Sequence, residues 1–111
     1  MNVYDLAHEL AKAISDSEEY KSYLDAKKIV EDDETSSNMV NDFHKMEMEM
    51  NAKQVMGQKP SDEDVKKIND MYQLITINPA VKGFLDKEIR LSTMVTDVFQ
   101  IINDAIGEVS E

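Results

Sequence analysis

Two histidines are the residues in this sequence with the clearest capacity for chemistry. Asp5 stands three residues before His8, and Glu47 stands three residues after His44. Residues three apart lie on one face of a helix, so each pair would present a carboxylate and an imidazole together. Helical bundles that bind two metal ions use Glu-x-x-His pairs from two helices and a glutamate from each of two others. Neither pair has that form, and Glu88 is the only further acid well placed on an apolar helix seam.

Other reactive arrangements are absent from the sequence. The chain has no cysteine, which excludes disulfides, thiolate metal sites and a cysteine nucleophile. It also lacks glycine-rich phosphate loops and serine nucleophile motifs. We therefore expect no enzyme activity, no cofactor and no metal. The alternative is a small-molecule or metal-binding helical protein, or an enzyme, that uses His8, His44 and Glu88 around a pocket.

Length and charge narrow the class of protein further. With 111 residues the chain is expected to form one domain, residues 1–111. Its 23 acidic residues outnumber 12 basic residues and give a net charge of −11. Such a surface repels phosphate backbones and anionic lipids, so we expect no direct binding to nucleic acid or membrane. The first residues do not resemble a signal peptide, and no apolar run is long enough to span a bilayer, so the expected location is the cytoplasm.

Five stretches have apolar residues at helical spacing, which predicts an all-α protein. Ser17 and Ser61 are predicted to cap the second and fourth helices, and Thr35 or Ser36 the third. The strongest start signal is Asn78-Pro79, a capping side chain followed by proline at the first helical position. The sequence therefore predicts a compact antiparallel bundle of about five helices with a long C-terminal helix.

The fifth helix, from Pro79 to about Gly107, would be roughly 43 Å long. Its apolar residues spread well beyond one stripe, and two methionines of the third helix also lie off that helix's main seam. Either these helices are central in the core of one chain, or a second chain covers the excess apolar surface. The sequence favours a homodimer built on the third and fifth helices. The residues predicted for the interface are Met48, Met56, Phe84, Leu91, Val95, Val98, Phe99 and Ile102.

Several short motifs resemble those of a known protein group. Near the N-terminus these are Val3-Tyr4-Asp5-Leu6-Ala7 with Leu10, and Ser17-Glu18-Glu19-Tyr20-Lys21. In the C-terminal half they are Asn78-Pro79-Ala80-Val81, Phe84-Leu85, Glu88, Arg90, Met94, Asp97 and Ile101-Ile102, and Met56-Gly57 stands at the turn between the middle helices. These motifs cover nearly the whole chain. The sequence resembles the YheA group of the YlbF/YmcA family of Firmicute proteins.

The resemblance implies a helical fold that self-associates. It also implies kinship with proteins that affect competence, sporulation and biofilm formation by acting on RNA processing through protein partners. Some relatives bind an iron–sulfur cluster through cysteines, and this chain has none. The expected function is therefore that of a non-enzymatic regulatory or adaptor protein that acts through contacts with itself and with other regulatory proteins.

Overall fold

The structure, a computed structural model, describes residues 2–107. Within that range the chain forms helices and no strands, which confirms the all-α prediction. The helices are α1 (Val3–Ser15), α2 (Glu18–Glu31), α3 (Glu34–Val55), α4 (Asp62–Thr76) and α5 (Pro79–Ala105). The long C-terminal helix is thus also confirmed.

Most of the predicted helix starts are confirmed. The side chains of Ser17, Ser61 and Asn78 each accept a hydrogen bond from the backbone N–H three residues further on. Pro79 occupies the first position of α5, where its missing N–H costs nothing. These caps satisfy N–H groups that have no partner inside the helix, which is why the helices begin at these residues.

The predicted start of α3 was wrong. The cap is Asp33, whose Oδ2 accepts from the backbone N–H of Ser36 at 3.2 Å and from the Ser36 hydroxyl at 2.6 Å. A carboxylate is well suited to this position, because the helix dipole favours negative charge at the N-terminus. The acidic run Glu31-Asp32-Asp33-Glu34 therefore divides: α2 ends at Glu31, and the carboxylate of Asp33 starts the next helix.

Hydrogen bonds between side chains set the relative direction of α3 and α5. Asn78 Nδ2 donates to Ser36 Oγ at 3.3 Å, which joins the first turns of the two helices. Further along, His44 Nε2 lies 2.8 Å from Glu88 Oε1. The two helices therefore run in the same direction, and α2 and α4, which precede them, run the opposite way. Ser36 is 1% exposed, so its contact with Asn78 lies within the core region.

The buried apolar core draws on four of the five helices. It combines the end of α2, the first half of α3, the end of α4 and the first two turns of α5. Its members are Val30, Val40, Phe43, Ile75, Val81, Phe84 and Leu85. The core therefore lies at one side of the molecule, and the second half of α5 extends beyond it.

The molecule is thin and extended. Its Cα extents are 52 × 38 × 16 Å, and the shortest is close to the roughly 13–15 Å that two packed helices span on their Cα atoms, with axes about 8–10 Å apart. The radius of gyration is 17.6 Å, compared with about 13 Å for a compact domain of this length. A slab one to two helices thick cannot cover both sides of its helices, so apolar faces remain exposed.

None of the helices within residues 2–107 combines the length and hydrophobicity that crossing a membrane requires.

A contact between the two middle helices makes a pH-dependent contribution to stability. The Lys53 ammonium donates to Asp64, and Asp64 also accepts from the backbone N–H of Ser61 at 3.0 Å. These bonds lower the pKa of Asp64 from 3.8 to about 2, with the hydrogen bond from Lys53 as the largest cause. Because the folded pKa is depressed, this stabilisation is fully present above pH 3.8 and is lost as the pH falls through about 2.

We expect Asp64→Asn to lower the urea midpoint at pH 7, and the difference from wild type to shrink as the pH falls from 3.8 to 2. The measurement is urea unfolding followed by circular dichroism across this range. Asp70→Asn is the matched control, because Asp70 pairs with Lys66 on the exposed surface of the same helix. Equal effects of the two substitutions at pH 7 would contradict the role assigned to Asp64.

Candidate functional site

Beyond the core, α5 presents an apolar seam. Leu91, Val95 and Val98 are half-buried, while Phe99 is 60% and Ile102 46% exposed. Ile101 and Ile106, which were not among the predicted interface residues, are 68% and 66% exposed and extend the same surface. Large apolar side chains grouped in this way mark a contact surface more often than an ordinary protein exterior.

Phe84 belongs to the core and is removed from the predicted interface. Its side chain is 4% exposed, and its ring centroid lies 5.4 Å from that of Tyr23 and 6.3 Å from that of His44. A residue enclosed by its own chain stabilises the fold and is not available to a second chain. The heptad-like spacing of apolar residues in α5 continues without a break from the core into the exposed seam. In the sequence, Phe84 therefore occupied the same kind of position as the seam residues that follow it.

The two methionines predicted for the interface, Met48 and Met56, form a patch toward the C-terminal end of α3, separate from the α5 seam. Met48 is 71% and Met56 70% exposed, and Val55 between them is 87% exposed. Met39 and Met46, earlier on the same helix, pack against the core. The methionines of α3 therefore divide into gap-fillers near the core and an exposed group at the far end, where flexible thioether side chains suit an adaptable contact.

The first helix also carries an exposed apolar face, and none of its residues was among those predicted for the interface. Throughout Val3–Ser15, all of which the structure describes, no residue is buried. Val3 is 78%, Leu6 50% and Leu10 38% exposed. The i, i+3, i+7 spacing of these residues was the available signal, because such a stripe needs something to pack against.

His44 and Glu88 form a polar pair between α3 and α5. The 2.8 Å contact joins side chains that are about one-third exposed, and the imidazole lies beside the rings of Phe43 and Phe84. The pair ties the two parallel helices together at the edge of the core. The sequence suggested Glu47, three residues further along the helix, as the partner of His44. In the structure the partner is instead the carboxylate of Glu88 on α5.

The alternative site made of His8, His44 and Glu88 is not assembled. His8 lies on α1, and α1 contacts only α2 among the described residues. Glu88 lines a cleft of about 300 Å³ between α3, α4 and α5, whereas His44 lines a smaller cleft of about 200 Å³ on the other side of α3. The part of the chain that the structure describes holds no group of three or more His, Asp or Glu side chains arranged to bind a metal ion.

The larger cleft is mostly apolar with acids at its edge. Phe43, Ile75 and Leu85 form its inner wall, and Glu47 and Glu88 lie at its opening. It is at the small end of the roughly 300–1,000 Å³ range of ligand pockets. The Glu88 carboxylate already forms a hydrogen bond with His44, so Glu88 stabilises the contact between α3 and α5 beside this cleft.

We expect the His44–Glu88 contact to contribute about 0.5–1 kcal/mol to stability, because it is a partly exposed hydrogen bond. The measurement is a double-mutant cycle of His44→Ala and Glu88→Ala, with urea unfolding at neutral pH. His8→Ala is the control, since His8 is exposed on α1 and should leave the midpoint unchanged. A coupling energy near zero would show that the contact does not connect the helices energetically.

Comparison with known proteins places the chain in a family. A family model described as "Control of competence regulator ComK, YlbF/YmcA" matches residues 3–107. The chain belongs to the YlbF/YmcA family. The resemblance drawn from its residue patterns is thereby confirmed, and the family's description links this YlbF/YmcA member to a regulatory class of proteins.

Individual YlbF/YmcA relatives match over nearly their full length. The chain is 38% identical over 105 residues to a UPF0342 protein of Caldicellulosiruptor saccharolyticus, which covers 95% of this chain and 88% of that protein. It is 35% identical to a UPF0342 protein of Halothermothrix orenii, over 92% of this chain and 86% of that protein. A solved protein of unknown function (DUF964) from Bacillus stearothermophilus has the same fold, with a TM-score of 0.79 and 22% identity. That match covers 94% of this chain and 91% of the solved chain.

Proposed function

We propose that this protein is a non-enzymatic regulatory adaptor that works in the cytoplasm through contacts with other protein chains, including a second copy of itself. The observation that carries the proposal is the large apolar surface left uncovered by one chain. Membership of the YlbF/YmcA family, described by its control of a competence regulator, supports the regulatory part. By family likeness the role extends to RNA processing, competence, sporulation or biofilm control.

The amount of exposed surface supports a partner. The accessible area of the chain is 8521 Å², whereas a folded monomer of 12.7 kDa exposes roughly 6,200 Å². The excess of roughly 2,300 Å² exceeds the roughly 800 Å² that each partner contributes to a standard protein–protein interface. Covering the apolar part of that area would stabilise an association, because burying apolar surface is the main favourable term in association.

A homodimer is the simplest way to cover the seam of α5. Around a two-fold axis one patch serves both chains, so no second complementary surface is needed. The residues we assign to this contact are Leu91, Val95, Val98, Phe99 and Ile102. Met48 lies on α3 and Met56 directly follows that helix. We assign both to contacts with other regulatory proteins, for which the adaptable methionine side chain is suited.

The adaptor role is tested by deletion and complementation in the bacterium that encodes the chain. Deleting the gene should change the level of the competence regulator, and the wild-type gene should restore it. A Met48→Glu/Met56→Glu variant should fail to restore it and should lose the protein partners that affinity capture recovers with wild type. The control is Gln73→Glu/Gln100→Glu, which adds the same charge at exposed polar positions on α4 and α5. An unchanged phenotype on deletion, with no partner recovered in any growth phase, would contradict the proposal.

A further inference from the structure

The apolar faces of α1 and of the second half of α5 both lie outside the core, at the same end of the molecule. The first turn of α2 lies beside the middle of α5, where Glu19 and the residues Arg90, Met94 and Asp97 line a common cleft. Because α1 joins α2 directly before this turn, it starts from the same end as the free half of α5. Among residues 2–107, however, α1 contacts α2 alone, so the two faces do not cover one another.

The connection between α1 and α2 keeps α1 away from its own α5. Only Asp16 and Ser17 separate the helices. The Ser17 hydroxyl donates to the carbonyl oxygen of Ile14 at 2.6 Å, and the Ser17 N–H approaches the same oxygen at 3.1 Å. The Ser17 Oγ in turn accepts from the N–H of Tyr20, the cap of α2. For α1 to fold back onto its own α5, this bonded turn and the cap would have to break.

The two faces match in length and in character. Helix α1 has 13 residues, about 20 Å, and the part of α5 from Val95 to Ala105 is about 16 Å long. At 100° per residue, Asp97 and Asp104 lie roughly 180–200° around α5 from Val95. Asp5 and Lys12 have the same offset from Val3 on α1. Both helices therefore keep their charges on the far side, and each offers a face of apolar groups.

We propose that α1 of one copy packs against the free half of α5 in a second copy, and that the exchange is reciprocal. Two α1 helices and two α5 ends then close one apolar four-helix core about a two-fold axis. The proposal rests on the self-association proposed above and assigns the surface that α1 occupies. A second copy is the fitting partner because it carries the same α1 face. In each chain the hydrogen-bonded turn keeps that face away from the α5 of the same chain.

Cross-linking tests the exchange directly. The chain has no cysteine, so engineered cysteines report without background. Chains carrying Leu10→Cys are mixed and equilibrated with chains carrying Ile102→Cys, and a short bismaleimide is added. We expect a cross-linked product containing one chain of each kind, identified by mass spectrometry. The control replaces Leu10→Cys with Gln73→Cys on α4, which should give little of this product.

A second measurement uses charge within the α1 face. Leu6→Glu should raise the dimer dissociation constant by roughly a hundredfold or more, because pairing would bury an unpaired carboxylate. It should leave the helical signal of the rest of the chain intact, since no residue in the described α1 is part of the core. A Leu6→Glu chain as dimeric as wild type would overturn the exchange. So would cross-linking of a Leu10→Cys/Ile102→Cys double variant only within one chain.

The two proposals fail separately. A dimer that cross-links through Val95→Cys on the α5 seam and not through the α1–α5 pair would overturn the exchange and leave the adaptor role intact. A reciprocal α1–α5 product from a protein whose deletion has no phenotype would support the exchange and contradict the adaptor role.

Discussion

Phe84→Ala should lower the free energy of unfolding by about 3–5 kcal/mol. The ring of Phe84 is 4% exposed and packs against Tyr23 and His44, where α2, α3 and α5 meet. Removing it loses the burial of the ring and leaves a cavity between three helices that cannot all move to fill it. For a domain whose total stability is about 5–15 kcal/mol, this loss would remove a large fraction of the free energy of unfolding.

Phe99→Ala is the matched control, because it makes the same change on the same helix about four turns further along. Phe99 is 60% exposed, so its truncation should have little effect on the urea midpoint at protein concentrations low enough to dissociate the dimer. Chemical unfolding of both variants at several protein concentrations makes the comparison. Similar losses for Phe84→Ala and Phe99→Ala at the lowest concentration would contradict the division of α5 into a core half and a contact half.

Val95→Glu should convert the dimer proposed above to monomer. Val95 is half-buried at the start of the free part of α5, between Leu91 and Val98 on the seam. A carboxylate placed there would lose its hydration on dimerisation without gaining a partner, which costs several kcal/mol. Since Val95 lies outside the buried core of the single chain, the helical content should persist.

Gln100→Glu is the control for this charge. Gln100 is exposed and lies roughly 140° around the helix from Val95, so the new carboxylate stays in water. Sedimentation velocity at matched concentrations compares the two variants, and circular dichroism confirms that both are folded. A Val95→Glu chain that stays dimeric, with the stability of wild type, would place the interface elsewhere.

Helix starts were largely predictable because capping is local chemistry. Ser17, Ser61 and Asn78-Pro79 act within three residues, so the signal and its effect are both contained in a short stretch of sequence. The start of α3 was missed by two or three residues because Asp33 stands in an acidic run that also suits a solvated helix end. Its role depends on the Ser36 amide and hydroxyl, which become its partners only in the folded turn.

Contacts between helices were much less predictable. The sequence singled out His44 and Glu88, but as candidate ligands; their pairing follows from the parallel register of α3 and α5, which depends on the bond between Asn78 and Ser36. Phe84 and Phe99 likewise occupy similar positions in the apolar pattern of one helix. What separates the core residue from the surface residue is the length of α2, which begins beside residues 89–97 and covers the first half of α5.

The apolar pattern of α1 and α5 indicated that each face needs a partner and did not indicate which chain supplies it. Periodicity reports the width of a stripe, whereas the position of α1 depends on a two-residue turn and its hydrogen bonds. The thin shape of the molecule could not be predicted from the sequence either, because it results from the small number of contacts between helices that are distant in the sequence. From these features we propose an interface of α1 and α5, where the sequence favoured α3 and α5.

Sedimentation equilibrium of the unmodified chain tests self-association most directly. Over a concentration series that reaches tens of micromolar, the mass of the major species should approach twice the 12.7 kDa of one chain. Mass action should shift it toward the single-chain value on dilution. A species that remains at 12.7 kDa throughout the series would contradict the account, and the exposed faces of α1 and α5 would then need a different partner.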